Sequence, residues 1–421
     1  MKLNGNLSMN NKTYEISNCE VCSNEVMMPV LNLGKHPMCD DLVLIDDDRK
    51  CVEYPIEILF CKKCLTAHQK YQVPKQDLFP QTYHYRSRFT ADVLFGMKSL
   101  VDSCLKQFGS VKNKTVLDIG CNDGSLLDHF KINGAKTIGI EPTGAVNDAS
   151  EKGHIVYNEF LSENVANRIV EVYGKPDFIT FTNVFAHIEN LCEVLNSLKL
   201  LISSKTVIVI ENHYLGSILD GNQFDTFYHE HPRSYSYTSF KYMVKTLGMN
   251  ILNVEFPSRY GGNIRVFMGN NDMNELSYNE DDLVKKEISF FEMFEKMSTN
   301  IEKWRISKKD TILALIQKHG RLRAKAFPGR AAILIKLLDL NENHISAVYE
   351  KPGSMKIGNY LPGTRIPIYS DEELFDSKSD TTPILNLAWH IPSEIERYMS
   401  KHGMRSDLLD ILSVNDFNEE L

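Results

Sequence analysis

The sequence predicts an α/β protein organised around a doubly wound parallel sheet. Short apolar runs of strand type alternate with stretches of helical spacing. Strands that alternate with helices in this way form parallel sheets, whose ligands bind at the carboxyl ends of the strands. The strands expected from the pattern are Thr115–Ile119, Thr137–Glu141, Asp177–Phe181 and Lys205–Glu211, with a closing hairpin near Ile251–Phe256 and Asn263–Met268.

The first of these strands leads into a turn that is typical of a cofactor site. Gly120 and Gly124 let the backbone approach a ligand closely, and the helix predicted at Ser125–Phe130 offers amides at its N-terminus. Asp118 precedes the turn, and Glu141 ends the next strand about twenty residues later, where an acid binds a ribose diol. The turn has the pattern G-x-x-x-G, whereas dinucleotide sites have G-x-G-x-x-G. The sequence therefore favours S-adenosylmethionine over NAD and disfavours an NAD-dependent dehydratase or epimerase.

The segment Phe224–His231 gathers side chains that move protons near neutral pH. Its last four residues supply a phenol, two imidazoles and a carboxylate: Tyr228, His229, Glu230 and His231. Pro232 disfavours helical dihedrals at the preceding residue, which indicates a loop. Such a loop either presents a base beside a hydroxyl donor or holds histidines that bind backbone carbonyls. Further polar groups are expected at the ligand-binding edge of the sheet, at His187 and Glu211.

Two C-x-x-C pairs near the N-terminus predict a structural zinc site. Each pair offers two thiolates to a tetrahedral Zn²⁺, and the ion closes the loop between the pairs. A redox dithiol would need only one pair, and four ligands leave no open coordination position. The predicted ligands are Cys19, Cys22, Cys61 and Cys64. The other cysteines are expected to be ordinary thiols: Cys39, Cys51, Cys104, Cys121 and Cys192.

Length and composition limit the classes of protein that need to be considered. A chain of 421 residues is long enough for two or three domains. The 47 Lys and Arg against 55 Asp and Glu give a net charge of −8, which argues against nonspecific binding of nucleic acid. Met1–Lys12 lacks the apolar core of a signal peptide, and no apolar run is long enough to cross a bilayer. With an odd number of cysteines, nine, we expect a cytoplasmic protein without nucleic-acid or membrane partners.

Further segments lie on either side of the predicted sheet. Helices are expected over Ala91–Phe108 and from about Ile188, and helical spacing from Glu280 to His319 predicts a connector. The apolar face of this connector packs either within the chain or against a second copy. The patch Tyr83–Arg88, which includes His84, either binds phosphates or is a linker packed on a surface. A smaller α/β domain is expected from strands at Leu322–Phe327, Ile345–Tyr349, Arg365–Tyr369 and Thr381–Ala388.

With these motifs in order, the chain resembles the sugar C-methyltransferases, which attach a methyl to C3 of nucleotide-linked 4-keto deoxysugars. The resemblance spans nearly the whole chain. Besides the paired C-x-x-C module, it rests on Leu117–Gly124, Asn183–Ile188, Phe224–His231, Gly261–Arg265, Leu361–Thr364 and Leu387–Trp389. It implies a zinc-binding domain at 1–80, a class I S-adenosylmethionine-dependent methyltransferase (Rossmann-like) domain at 81–275, a helical connector at 276–320 and a C-terminal Rossmann-like α/β domain at 321–421 that contributes to substrate binding.

The resemblance also implies roles for individual residues. His231 is the base that forms an enolate, with Tyr228 as donor and Glu230 as orienting acid. His187 lies near the keto oxygen, and Tyr83 or Tyr85 reaches over the substrate, a nucleotide-diphosphate keto sugar. The Zn²⁺ is structural. The residues implied for S-adenosylmethionine are Asp118, Gly120, Asn122, Gly124, Glu141 and Asn183.

One part of the chain departs from the family. Relatives carry a Gly-rich stretch with a lysine after the first strand of the C-terminal domain, whereas Phe327–Ala332 has fewer glycines and offers Arg330 as a phosphate partner. The nucleotide and the sugar are therefore left open. Two other functions remain to be weighed: an N- or O-methyltransferase, which needs no enolate donor, and a zinc-containing module that binds nucleotide sugars without chemistry.

Overall fold

The computed structural model describes residues 13–81, 83, 85–270, 278–376 and 379–417. Met1–Lys12 and His84 lie outside the described residues. The chain divides into two compact units, and each is discontinuous in sequence. Unit 1 contains the described parts of 1–28, 59–218 and 230–291. Unit 2 contains those of 29–58, 219–229 and 292–421.

The N-terminal region is formed mostly by short strands. In the strand Glu53–Cys61, the alternating residues Tyr54, Ile56 and Ile58 are buried, as the period of a strand requires. The elements are β1 (Tyr14–Glu15), β2 (Met28–Pro37), β3 (Val43–Leu44), β4 (Glu53–Cys61), β5 (Thr66–Gln69), β6 (Tyr71–Gln72) and helix α1 (Lys75–Leu78). Within unit 1, β1 and β6 pair antiparallel.

The central region contributes a seven-stranded sheet to unit 1. Its strands are β7 (Thr115–Ile119), β8 (Lys136–Ile140), β9 (Ile155–Tyr157), β10 (Phe178–Thr182), β11 (Val207–His213), β13 (Asn250–Glu255) and β14 (Asn263–Gly269), and the short β12 (Arg233–Ser234) pairs instead with β5. The order is β13-β14-β11-β10-β7-β8-β9. Strands β7 to β11 are mutually parallel, and the hairpin β13–β14 adds antiparallel to β11. The predicted doubly wound sheet and its closing hairpin are confirmed.

Helices lie between these strands, and their apolar faces pack on the sheet. In α2, for example, Val93, Met97 and Leu100 recur at helical spacing and are buried in the core of unit 1. The helices are α2 (Ala91–Phe108), α3 (Ser125–Ile132), α4 (Val146–Glu151), α5 (Glu163–Tyr173), α6 (Leu191–Leu201), α7 (Leu215–Asp220), α8 (Tyr237–Leu247) and α9 (Glu280–Ile288). Short 3-10 turns occupy Ser87–Phe89, Phe185–His187, Phe224–Thr226 and Arg259–Gly261.

One predicted helix start is wrong. The helix expected from about Ile188 begins at Leu191, because the Asn190 side chain caps it by accepting a hydrogen bond from the Glu193 amide at 3.1 Å. The helical spacing predicted from Glu280 to His319 is confirmed, and it is divided between two helices, since the first ends at Ile288. The predicted helix Ala91–Phe108 is confirmed.

The C-terminal region gives unit 2 a second parallel sheet, with the order β18-β16-β15-β19-β20. The long helix α10 (Phe290–His319) buries Trp304, whose Nε1 donates to the Ile411 carbonyl oxygen at 3.1 Å. The short β17 pairs with β3. The remaining elements are β15 (Leu322–Lys325), α11 (Ala331–Leu337), β16 (Ile345–Glu350), β17 (Asn359–Tyr360), β18 (Ile368–Ser370), α12 (Asp371–Phe375), β19 (Ile384–Asn386), α13 (Pro392–Lys401), β20 (Leu408–Asp410) and a 3-10 turn at Val414–Phe417.

Among the described residues, no helix combines the length and the apolarity that crossing a bilayer requires.

Candidate active site and zinc site

The four cysteines of the C-x-x-C pairs come together in unit 1. Their Sγ atoms all lie within 4.8 Å of one another. Cys19 Sγ is 3.3 Å from Cys64 Sγ, and Cys22 Sγ is 3.6 Å from Cys61 Sγ. Zinc–thiolate bonds of about 2.3 Å in a tetrahedron place sulfur atoms about 3.8 Å apart, so these residues fit a zinc ion. Because four thiolates close the coordination shell, the zinc is structural, as predicted.

Polar neighbours surround the thiolates. Thr66 Oγ1 lies 3.1 Å from Cys64 Sγ, and Asn24 Nδ2 donates to Cys61 Sγ at 3.5 Å. His68 Nε2 lies 3.3 Å from Cys19 Sγ. Such contacts orient metal ligands and balance the negative charge on sulfur. His68 could not be predicted from the sequence, because a single histidine on a short strand carries no spacing signal.

Three candidate cofactor residues lie in the turn between β7 and α3. Gly120, Gly124 and Asn122 have φ angles of 72°, 76° and 49°, all in the left-handed region. The amides of Gly120 and Cys121 donate to the carbonyl oxygen of Ile140 at 2.8 and 3.1 Å, which ties the turn to the end of β8. Glycine adopts these angles without the penalty that a Cβ imposes. The turn therefore has the close-approach geometry that its sequence predicted.

Two candidate acids lie at the ends of β7 and β8. Glu141 accepts hydrogen bonds from the Asn122 amide at 2.9 Å and from the Thr143 amide and hydroxyl at 2.9 and 2.6 Å. Asp118 is 3% exposed and accepts from Thr180 Oγ1 at 2.7 Å. Burial raises the pKa of Asp118 to about 7, although the hydrogen bond from Thr180 opposes the shift. Thr143 was missed, and its position just after a strand-end acid could have indicated it.

Asn183 follows β10 and is held from two directions. Its amide donates to the carbonyl oxygen of Glu211 at 2.7 Å, and its Oδ1 accepts from Asn263 Nδ2 at 3.3 Å.

Glu211 was expected at a strand end, but it lies inside β11 and is fully buried. Its carboxylate accepts from Arg259 at 3.0 Å and from Arg265 at 2.6 Å. Glu211 is therefore part of a buried ion-pair network, and Asn183 lies just after β10, the strand that pairs with β7.

Gly120→Ala is expected to weaken binding of S-adenosylmethionine as well as stability. A Cβ at this position would lie 2.5 Å from Val184 Cγ2, which no real contact permits, and φ is positive. The matched control is Gly248→Ala, which also has a positive φ but has no atom within 4 Å of the added Cβ. The control should lose about 1 kcal/mol of stability and keep its affinity. Calorimetric titration with the cofactor and thermal unfolding of both variants test this; equal affinities would contradict it.

Three imidazoles gather in unit 1 beside the same edge of the sheet. The ring centroid of His231 lies 4.8 Å from that of His187 and 5.6 Å from that of His213. His187 follows β10, and His213 ends β11. His231 is only 6% exposed. His213 was not predicted, although its position at a strand end could have indicated it.

The protonation of His187 follows from its surroundings. Burial lowers the pKa of His187 to about 4, against hydrogen bonds to the backbone of Glu230 and Asn183 that favour the charged form. The ring is therefore neutral at pH 7. Its Nδ1 lies 2.7 Å from the Glu230 carbonyl oxygen, so the ring proton sits on Nδ1 and is donated to that carbonyl. A neutral His187 adds no positive charge beside His231.

The structure places the candidate tyrosines in different surroundings. The ring of Tyr83 packs edge-on against Phe79 at 5.4 Å, and Phe79 packs at the same distance against His187. Tyr85 is at the cofactor turn, where its carbonyl oxygen accepts from Asn122 Nδ2 at 3.1 Å. Tyr228 is half-buried and belongs to unit 2, since the chain passes between the units after His229. Tyr83 is therefore connected to the His187 ring through Phe79.

The basic residues of the same patch are engaged within unit 1. Arg86 Nε lies 2.6 Å from Asp148 Oδ2, and Arg88 Nη1 lies 3.0 Å from the same oxygen. The Arg88 amide also donates to Asp123 at 3.0 Å. Of the two alternatives for the patch, these contacts favour the packed linker over the phosphate site.

His229 contacts a backbone carbonyl, which is one of the two alternatives that the sequence offered for the histidines of this segment. It is 3% exposed, and its Nε2 lies 3.1 Å from the carbonyl oxygen of Tyr54 within unit 2. The two rings also pack edge-on at 5.9 Å. Burial lowers the pKa of His229 to about 4, against the hydrogen bond to Tyr54. The two histidines of the His-Glu-His sequence thus have different surroundings.

Stability is expected to depend on pH through His229. In the unfolded chain this histidine binds a proton near pH 6.5, whereas the folded chain resists the proton down to about pH 4. Its contribution is therefore complete above pH 6.5 and falls as the pH drops toward 4, by at most about 3 kcal/mol. In His229→Gln, the glutamine amide can still donate to the carbonyl oxygen of Tyr54. The free energy of unfolding of this variant should change less between pH 7.5 and pH 5 than that of the wild type. An unchanged slope in chemical denaturation would contradict this.

A buried cluster in unit 2 holds the start of the Phe224–His231 segment. Arg330 Nε lies 3.2 Å from Asp225 Oδ2, and Trp389 Nε1 donates to the same oxygen at 2.8 Å. Arg330 Nη1 also donates to Thr226 Oγ1 at 3.1 Å, and the guanidinium lies over the Trp389 ring at 5.0 Å. Arg330 was expected as a phosphate partner. It is instead buried and paired with a carboxylate, because Asp225 needs a compensating charge.

Comparisons with known proteins agree with this arrangement. Three family models match the chain: a zinc binding domain at 19–79, a methyltransferase domain at 95–254 and a C-methyltransferase C-terminal domain at 258–406. The C-methyltransferase NovU of Streptomyces niveus is 24% identical over 387 residues, which cover 90% of this chain and 91% of that protein. All three regions therefore have counterparts among methyltransferases.

Solved structures are similar to part of the chain. Magnesium protoporphyrin IX methyltransferase of Synechocystis, with bound SAM, is 15% identical and covers 42% of this chain and 79% of its own, with a TM-score of 0.32. The plantazolicin methyltransferase BpumL, in complex with SAH, is 16% identical and covers 44% of this chain and 86% of its own, with a TM-score of 0.34.

Proposed function

We propose that this chain, which is a S-adenosylmethionine-dependent C-methyltransferase, adds a methyl to C3 of a nucleotide-linked 4-keto sugar. The observation that carries the proposal is the group of three imidazoles around His231 at the carboxyl edge of the sheet. Forming a carbon–carbon bond at this position requires removal of a proton from the carbon beside the ketone. A buried imidazole next to a neutral one is suited to that step.

His231 is the proposed base. It takes the proton from C3, and the electron pair of the broken C–H bond becomes the enolate. The backbone on one side of His231 is fixed, because His187 donates to the carbonyl of Glu230. Glu230, 6% exposed, is the proposed orienting acid. A base held in this way loses little entropy when substrate binds.

The negative charge that develops on the keto oxygen needs a donor. Tyr228 is proposed to donate to this oxygen, since a phenol placed there stabilises the enolate more than the ketone. His187 is proposed to line the same end of the sugar, and Tyr83 or Tyr85 to cover the substrate. Packing of Tyr83 against Phe79, and of Phe79 against His187, supports the choice of Tyr83.

The methyl donor is proposed to lie along the carboxyl edge of β7, β8 and β10. S-adenosylmethionine supplies an electrophilic methyl on a sulfonium and needs no metal. The turn at Gly120, Asn122 and Gly124 would approach the amino acid portion of S-adenosylmethionine, and Asp118 precedes this turn in β7. Glu141 would accept from the ribose hydroxyls, and Asn183 would contact the donor on the side nearest the imidazoles. Burial raises the pKa of Asp118 to about 7, and a cationic ligand beside it would favour its charged form.

The remaining regions are proposed to serve the substrate. Residues 1–80 form the zinc-binding domain, 81–275 the methyltransferase domain, 276–320 the connector and 321–421 a domain that contributes to binding the nucleotide diphosphate. The two buried sheets, one in each unit, support separate methyltransferase and C-terminal domains.

A panel of nucleotide-linked 4-keto sugars tests the proposal. Each sugar is incubated with the protein and S-adenosylmethionine, and the products are identified by mass spectrometry and by NMR of the new methyl group. The expected product carries its methyl on C3. A methyl on oxygen or nitrogen would identify the alternative N- or O-methyltransferase, and cofactor binding without any product across the panel would contradict the sugar substrate.

A further inference from the structure

The strand that follows His231 pairs with the zinc module within unit 1. In β12, Arg233 and Ser234 pair antiparallel with His68 and Ala67 of β5. The carbonyl oxygen of Pro232 accepts from the Gln69 amide at 2.8 Å. The main chain on the C-terminal side of His231 is thus held by the same strand that carries His68 beside Cys19.

An ion pair between the buried Arg233 and the partly exposed Glu20 adds a second link between the zinc module and this strand. Arg233 Nη1 lies 2.5 Å from Glu20 Oε2, and Gln72 Nε2 donates to the same oxygen at 2.8 Å. Glu20 lies between Cys19 and Cys22 in the first C-x-x-C pair. The zinc ligands and the arginine are therefore joined through one carboxylate.

Arg233 also reaches the segment that carries His187. Its Nη1 and Nη2 lie 3.3 Å from the carbonyl oxygen of Glu189, and its Nε donates to the Tyr235 hydroxyl at 3.0 Å. The side chain is fully buried. A fully buried guanidinium must keep its partners, because an uncompensated charge in this position is strongly unfavourable. One side chain therefore fixes both the strand after His231 and the residues just after His187.

We propose that the zinc module positions the imidazole cluster through Glu20 and Arg233. Zinc fixes the first C-x-x-C pair, Glu20 holds Arg233, and Arg233 sets the spacing between the segments of His187 and His231. Glu20 and Arg233 are thus positioning residues that do not touch the substrate. The catalytic part of this inference rests on the proposed role of His231, whereas the structural part does not.

The first test compares Glu20→Gln with a matched control. Glu15→Gln alters a carboxylate of the same module, whose side chain is 53% exposed and pairs with Lys70 at 3.7 Å. Hydrogen–deuterium exchange of the peptide covering 229–236 is measured by mass spectrometry in zinc-loaded protein. We expect exchange on the order of 10-fold faster in Glu20→Gln, with β7 unchanged and bound zinc retained, and no change in Glu15→Gln.

Kinetics separate positioning from a general loss of structure. Glu20→Gln is expected to lower kcat by about 10- to 100-fold and to change KM for S-adenosylmethionine by less than about twofold. Removing zinc should accelerate exchange in the same peptide. If exchange and kcat in Glu20→Gln both match those of Glu15→Gln, the inference is wrong.

Two further variants keep the test decisive. If Glu20→Gln does not fold, Gln72→Leu takes its place, because it removes one donor to the same oxygen of Glu20. Exchange and kcat should change in the same direction as expected for Glu20→Gln, but by less. Unchanged exchange and kcat in Gln72→Leu would also overturn the inference. If His231→Asn keeps full methyl transfer, the proposed base is wrong. Faster exchange in Glu20→Gln would then still demonstrate the link between the zinc module and β12.

Discussion

His231→Ala should abolish methyl transfer while leaving the binding of S-adenosylmethionine intact. Loss of a general base lowers rates by about 10²- to 10⁴-fold, and the residues proposed for the cofactor lie on other strand ends. The side chain is buried, and the rings of His187 and His213 lie 4.8 and 5.6 Å from its own ring, so neither occupies its position when it is removed. Single-turnover methyl transfer and calorimetric titration with the cofactor measure the two quantities separately.

His229→Gln is the matched control for this prediction. The two histidines flank Glu230 and both are buried, but His229 contacts the carbonyl oxygen of Tyr54 in unit 2. The control should lose stability and keep its turnover number at a temperature where it is folded. If His231→Ala lost cofactor binding as well as activity, His231 would have a structural role.

Removal of zinc should have the largest effect on stability. Structural zinc sites fold with their metal, and in small zinc modules the binding free energy is about 10–16 kcal/mol. Four thiolates within 4.8 Å of one another cannot remain close as charged groups without the ion. Cys61→Ser is therefore expected to lower the midpoint of thermal unfolding by about 10 °C or more. Zinc content measured by plasma mass spectrometry should fall with the midpoint.

The control for the zinc prediction is Cys192→Ser, because Cys192 is exposed and lies outside the cluster. This variant should keep its zinc and its unfolding midpoint. Chelation of the wild type should act slowly and follow the loss of structure. Rapid, reversible inhibition of a protein that keeps its fold would indicate a catalytic metal instead.

Much of the fold could be predicted from local patterns. The strand Thr115–Ile119 and the helix Ala91–Phe108 have the bounds that their apolar spacing indicated. The two C-x-x-C pairs and the glycine turn were also predicted correctly, because each pair and the turn lie within four or five consecutive residues. The resemblance to C-methyltransferases is confirmed by the C-terminal family model at 258–406 and by the NovU similarity. Assignments of single site residues stay predictions.

Other features depend on contacts between distant residues and leave no local signal. Glu20 and Arg233 are 213 residues apart in sequence, and nothing near either one predicts their ion pair. Glu211 looked like a strand-end ligand, yet β11 continues past it to His213 and two arginines neutralise it. Arg330 looked like a phosphate partner because the resemblance places it where relatives carry a lysine, but its partner Asp225 is more than a hundred residues away.

Exchange of a carbon-bound proton tests the central claim most directly. A nucleotide-linked 4-keto sugar is incubated in D₂O with wild-type protein and with His231→Ala, without S-adenosylmethionine, and the C3 position is followed by NMR. The proposed mechanism predicts that the wild type incorporates deuterium at C3 and that the variant does so at the rate of the protein-free control. Equal incorporation in both proteins, or methyl transfer by a wild type that exchanges no proton under any condition, would contradict deprotonation by His231.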